Sequence, residues 1–173
     1  MRDNNDDTPQ MGKAFLWIAW VLGLGILVII FQDVLDKQWN PNTSPDSALL
    51  SSGGAQVTLR QNRAGHYVTS GTINNEPVVF LLDTGATQVS IPAQVADRLY
   101  LQTSGQYPVN TANGTVIVYR TQIDTLTIGN IILQDVSAHI NPGMLSDEIL
   151  LGMSALKKVE FSQTGKQLIL QQR

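Results

Sequence analysis

The 173-residue chain is predicted to be an all-β domain with one or two short helices, preceded by an N-terminal transmembrane helix. Three observations carry this. Ala14 to Phe31 (AFLWIAWVLGLGILVIIF) runs for eighteen residues without a charge or a strongly polar group. From Gln56 onward, short runs rich in Val, Ile and Thr alternate with turn signals, among them Asn74-Asn75, Asn113-Gly114, Gly129-Asn130 and Thr164-Gly165. That is the pattern of successive β-hairpins. Within that region two stretches, after Pro92 and after Gly152, read as helical, and both are short.

The chain is expected to divide into a cytoplasmic tail (1–13), a transmembrane helix (14–31), a flexible linker (32–56) and a folded domain (57–173). A helix over 14–31 spans roughly 27 Å, close to the thickness of bilayer hydrocarbon. Trp17 and Trp20 stand towards one end, where indole rings favour the interface. A cleaved signal peptide would have a shorter apolar region followed by a small-x-small site. Here the run ends in Gln32-Asp33-Val34-Leu35-Asp36, so a retained anchor is expected. Arg2 and Lys13 precede the span and Lys37 follows it, which favours an N-terminus inside and a domain outside, in a bacterial periplasm. Ala19 and Gly23 have the small-xxx-small spacing that lets two spans approach, or reflect the ordinary tolerance of membrane helices for small residues.

Residues 32–56 carry turn and linker chemistry in Asn40–Asp46 and Ser51–Gly54. As a coil they would reach roughly 25–30 Å. Strands are expected at Val57–Arg60, Tyr67–Ile73 and Pro77–Leu82, the last two forming a hairpin. Pro92 suits the first position of a helix buried through Val95, Ala96 and Leu99. Asn113-Gly114 marks the next hairpin, because both residues accept positive φ. Val116–Ile128 and Ile131–Ile140 form another. Its apolar phase runs through Ile117, Tyr119 and Ile123 and switches at Leu126, which predicts a bulge or bend near Asp124. Ile149–Leu151 precedes Gly152 and a short helix from Met153. Val159–Phe161 and Gln167–Leu170 make a terminal hairpin.

Composition excludes several functions. Residues 1–56 hold three basic and six acidic residues, and residues 57–173 hold eight of each. With no basic stripe, a nucleic acid partner is not expected. The chain has no Cys, which removes thiol nucleophiles, disulfides and thiolate metal sites. His66 and His139, the two histidines, are far apart without an H-E-x-x-H and read as structural. Gly152–Leu156 lacks the second Gly of a nucleophile elbow. Asp147-Glu148 reads as a solvated pair and Asp97-Arg98 as an exposed helix face.

The chemistry concentrates in Pro77–Pro92 (PVVFLLDTGATQVSIP). Five apolar residues, Val78 to Leu82, predict a strand buried on both faces. It delivers Asp83 into a Thr84-Gly85-Ala86-Thr87 turn. A carboxyl at the end of such a strand is costly unless it is used or paired. Thr84 can hydrogen-bond locally, and Gly85 allows close approach by a backbone or ligand. The simpler alternative is an Asp that only forms the turn.

Gly65–Tyr67 (GHY), Phe80–Thr87 (FLLDTGAT), Thr111–Gly114 (TANG) and Leu150–Leu156 (LLGMSAL) follow one another in order. Together they resemble the retropepsin-like (clan AA) aspartic proteases, in their bacterial, membrane-anchored branch, over about residues 57–172. The resemblance implies a single-lobe acid protease fold and an aspartic endopeptidase acting on polypeptides without cofactor or metal. It implies that Asp83 is the acid/base carboxylate, supported by Thr84, Gly85, Ala86 and Thr87. Ala112, Asn113 and Gly114 would belong to a flap over the substrate, while Leu151 and Gly152 support the loop from behind. Peptide hydrolysis by this route needs two carboxyls sharing a proton. The chain has one Asp-Thr-Gly, so a homodimer is expected, with Asp83 of each copy at the two-fold axis. Viral members often carry Arg then Asn or Asp after the second Gly; here Met153 and Ser154 stand there, so the viral dimer brace is missing. Two other readings stay open: a catalytically silent, membrane-tethered binding or scaffold module, and a peptidase that cuts only its own tether.

Overall fold

The structure, a computed structural model, describes residues 8–51, 53–111 and 114–173, with side chains apart from those of 8–11 and 33. The chain forms two compact units, Met1–Lys37 and Gln38–Arg173. The helix α1 (Thr8–Trp39) fills the described part of the first and ends in the second. Between 12 and 37 its described side chains are exposed. Gly12–Trp39 is long and apolar enough to cross a membrane.

The second unit is built from two sheets. β1 (Asp46–Leu49), β2 (Ala55–Arg60), β11 (Gln167–Gln172) and β10 (Glu160–Thr164) form the smaller one in that order. The larger sheet orders β3 (Val68–Ile73), β4 (Glu76–Leu82), β9 (Ile149–Leu151), β5 (Val89–Pro92), β8 (Ile131–Asn141), β7 (Gly114–Ile128) and β6 (Gln106–Thr111). β3 also pairs with β7 at Thr72↔Thr127 and Ile73↔Leu126, so six strands close on themselves and β6 is left as an edge. Two short helices, α2 (Ala93–Arg98) and α3 (Met153–Leu156), complete the unit. The core holds Phe80, Ile91, Ile123, Leu126, Ile149 and Leu151, all fully buried. Each such side chain contributes about 1.5–3 kcal/mol by leaving water.

The strand pairs expected from turn chemistry are present. Asn74 and Asn75 take φ of 50° and 72° between β3 and β4, the positive values that short hairpin turns require and Asn tolerates. β10 and β11 pair around Gly165.

Five details differ from expectation. The folded unit begins at Gln38, so the described residues from 38 to 51 belong to it rather than to a flexible linker. Asn40 and Asn42 are buried, and β1 pairs with β2. The cause is Asn42, whose amide donates to Arg60 O (2.9 Å) and Val68 O (2.7 Å) and whose side-chain oxygen accepts from Arg60 N (2.7 Å). β4 is covered more heavily on one face. Val78 and Phe80 are buried, while Val79, Leu81 and Leu82 are half-buried. Pro92 closes β5 and stands just before the helix. On β7, Ile117 and Tyr119 are exposed and Val118 is buried. The register of β7 with β8 is the same on either side of Asp124, at Ile123↔Val136 and Thr125↔Gln134, with no pairing between Asp124 and Asp135 themselves. There is no bulge; instead Asp135 opposite takes φ of 51°, and Thr125 N donates to Asn74 Oδ1.

Candidate active site

β4 and β9 run parallel, with Leu82 beside Leu151. Each leaves the sheet at the same level, and the two exits grip one another. Asp83 N donates to Leu151 O (3.2 Å), Met153 N to Ala86 O (2.8 Å) and Ser154 N to Thr87 O (3.0 Å). The Ser154 hydroxyl accepts from Val89 N (2.9 Å) and donates to Ser137 O (2.7 Å). Gly152 makes the grip possible: a Cβ there would lie 2.7 Å from Ala86 O and closer still to Gln88 O. Leu151 is buried beneath the loop.

Within the loop, Ala86 N donates to Asp83 O (3.2 Å) and Gly85 N to Asp83 Oδ1 (2.8 Å). A backbone donor aimed at the carboxylate holds its rotamer. A Cβ at position 85 would come within 3.1 Å of that oxygen. Asp83 is half-buried; Thr84, Gly85 and Thr87 are exposed and Ala86 is half-buried. Among the described residues the Thr84 hydroxyl has no partner within the chain.

A cleft of about 780 Å³ opens between this loop and the β6–β7 hairpin. Asp83, Gly85, Ala86 and Thr87 line one side and Tyr107 to Thr111 the other. Asp83 is the one charged group among the described lining residues. Thr84, Leu151 and Gly152 lie outside the lining. β6 pairs with β7 out to Thr111↔Gly114, with Gly114 at φ 108°. The expected flap residues Ala112 and Asn113 lie outside the described residues.

Five further cleft residues had no local signal: Gln88, Ser90, Tyr107, His139 and Met144. The Tyr107 hydroxyl lies 3.2 Å from both Gln88 Oε1 and His139 Nδ1. His139 Nε2 is 2.9 Å from Ser90 Oγ, which donates to Met144 Sδ at 3.2 Å. Burial lowers the His139 pKa, so the imidazole is neutral at pH 7. The Arg120 guanidinium sits 4.9 Å above the Tyr107 ring. His139 is thus a satisfied core group, as expected of a structural histidine, and also part of the cleft wall. His66 is exposed and stands apart from the cleft.

Comparison with known proteins agrees with this architecture. The family described as gag-polyprotein putative aspartyl protease matches residues 69–158, 90 of the 173 residues. The crystal structure of a retropepsin-like aspartic protease from Rickettsia conorii superposes with a TM-score of 0.57 at 22% identity, covering 75% of this chain and 95% of that one. It shows that the fold is retropepsin-like. An uncharacterized protein of the cobV 5' region of Sinorhizobium sp is 28% identical over 116 residues, 65% of this chain and 50% of its own. An uncharacterized protein of Rickettsia prowazekii (strain Madrid E) is 25% identical over 118 residues, 66% of this chain and 50% of its own. The chain therefore spans about half the length of the curated relatives it matches. The Asp83 loop and the Leu151–Ser154 segment that grips it both fall inside the matched residues 69–158, and the chain belongs to the gag-polyprotein aspartyl protease family.

Proposed function

We propose that this protein is a membrane-anchored aspartic endopeptidase, with two Asp83 carboxylates, one from each chain of a homodimer, activating the water that attacks a peptide bond. The observation that carries this is a lone Asp-Thr-Gly loop presenting a half-buried carboxylate to a cleft, in a chain of an aspartyl protease family. Two carboxyls about 3 Å apart share one proton. The ionised one takes a proton from water, and the protonated one donates to the scissile carbonyl oxygen. The resulting tetrahedral species collapses as its nitrogen is protonated, releasing an amine and a carboxylic acid. The exposed Thr84 hydroxyl is free to reach the partner loop. The β6–β7 hairpin, with Ala112, Asn113 and Gly114 at its end, would close over the peptide and exclude water.

Residues 14–31 would hold the protein in a bacterial inner membrane, N-terminus in the cytoplasm and domain in the periplasm, since Arg2 and Lys13 precede the span. Confinement to one bilayer raises the effective concentration of the two copies and favours pairing.

The test uses the full chain in detergent micelles with a diverse peptide pool. Wild type is expected to cleave, with a rate per chain that falls on dilution as dimers separate. Asp83→Asn is expected to bind peptides and cleave none. Cleavage by Asp83→Asn, or a rate per chain independent of dilution, overturns the two-carboxylate mechanism. Peptide binding by wild type without cleavage would point to the silent binding module instead.

A further inference from the structure

The hydrogen-bonded row Gln88–Tyr107–His139–Ser90–Met144 joins parts of the fold that are far apart in sequence. Gln88 ends the Asp83 loop, Ser90 lies on β5, Tyr107 on β6 and His139 on β8, and Met144 follows β8. β6 is the edge of its sheet and pairs with β7 alone. Beyond that pairing, the Tyr107 hydroxyl ties it at 3.2 Å to the loop through Gln88 and at 3.2 Å to β8 through His139. A neutral imidazole allows three of the four bonds at a time. When Tyr107 donates to Nδ1, Nε2–H donates to Ser90 and Ser90 donates to Met144, which leaves out Tyr107–Gln88. When Nδ1–H donates to Tyr107, Tyr107 donates to Gln88 and Ser90 donates to Nε2, which leaves out Ser90–Met144.

Filling this space needs no such row, since Leu or Phe at 139 would pack at lower desolvation cost. A histidine bonded at both ring nitrogens fixes the direction of each neighbour as well as its distance. The edge-to-face contact of the Tyr107 and His139 rings, with centroids 6.1 Å apart and planes at 79°, adds to that constraint.

We propose that His139 is a positioning residue: through Tyr107 it braces the base of the β6–β7 hairpin against Gln88 and the Asp83 loop. Movement of the hairpin is thereby confined to the part beyond Tyr107, and a peptide meets a cleft wall already in place. Preset geometry lowers the ordering cost of binding. The brace itself is a property of the fold, and its effect on peptides rests on the endopeptidase function proposed above.

Two variants of the full chain in detergent test this by amide hydrogen exchange and by peptide kinetics. Tyr107→Phe keeps the ring beneath Arg120 and removes the hydroxyl. His139→Gln keeps a donor near the place of Nε2, so Ser90 stays bonded, and severs Tyr107. Both are expected to exchange roughly tenfold faster across 106–118, as the loss of about one hydrogen bond implies, with β2 and β11 unchanged. Both are expected to raise KM for a cleaved peptide roughly tenfold, with kcat within about twofold of wild type. Unchanged exchange in the hairpin, or an increase spread evenly over the domain, overturns the brace. Faster hairpin exchange with unchanged KM overturns the positioning role. Faster hairpin exchange in a protein whose wild type cleaves no peptide refutes the endopeptidase and leaves the brace standing.

Discussion

The Ser154 hydroxyl accepts the amide hydrogen of Val89 at 2.9 Å, 65 residues away in sequence. The same hydroxyl donates to Ser137 O, so one buried side chain satisfies a donor below the Asp83 loop and an acceptor on β8. It stands second after Gly152, where viral relatives often carry an Asn or Asp. Ser154→Ala leaves the Val89 N–H and the Ser137 carbonyl without this partner. The expected loss is about 1–3 kcal/mol, read as a lower urea midpoint with an unchanged slope. A loss below about 0.5 kcal/mol would show that the grip does not depend on this hydroxyl.

Gly152→Ala should be worse. The new methyl meets the Ala86 and Gln88 carbonyl oxygens, which are backbone and cannot swing aside. Overpacking of this kind costs about 1–3 kcal/mol, and here it falls on the loop that carries Asp83. Peptide cleavage should drop more than stability does; thermal melts beside rate measurements would show it. An alanine variant with wild-type cleavage would separate Gly152 from the site.

Asn42→Ala tests whether the segment before β1 belongs to the domain. The change strands the Arg60 N–H and weakens the Arg60 and Val68 carbonyls, all served by one amide. A loss of about 3 kcal/mol is expected, together with new protease sensitivity in residues 38–50. Unaltered stability would mean that this segment decorates the domain rather than building it.

Burial lowers the pKa of His139 from its ordinary 6.5, because the charged imidazole loses water. Above pH 6.5 both folded and unfolded chains hold it neutral, and its contribution to stability is complete. As pH falls below 6.5 the unfolded chain binds the proton first, so stability declines until pH passes the lowered folded value. Urea denaturation of wild type from pH 8 to 5 should show that decline, and His139→Gln should remove part of it. Identical pH slopes in the two proteins would rule His139 out as the source.

Much of the fold could be read along the chain. Positive-φ signals at Asn74-Asn75 and Thr164-Gly165 marked real turns because turn chemistry is local. The Asp-Thr-Gly turn after an apolar strand and the hydrophobic-hydrophobic-Gly near 150 were visible for the same reason. Buried phase along β7 was misread at Ile117 and Tyr119. Which face of a strand is buried depends on what the sheet packs against, and the chain order does not encode it.

Residues 38–50 show the limit most plainly. Their Asn, Pro and Ser content reads as a linker, yet Asn42 is buried because β2 and β3 leave backbone groups that its amide satisfies. The row from Gln88 to Met144 was likewise invisible, since its members are brought together by sheet order. Local composition by itself determined the strands, the apolar helix and the acidic turn. Only the tertiary structure decided which distant groups meet at Asp83, because hydrogen-bond partners across a sheet are set by register and closure rather than by neighbours in sequence.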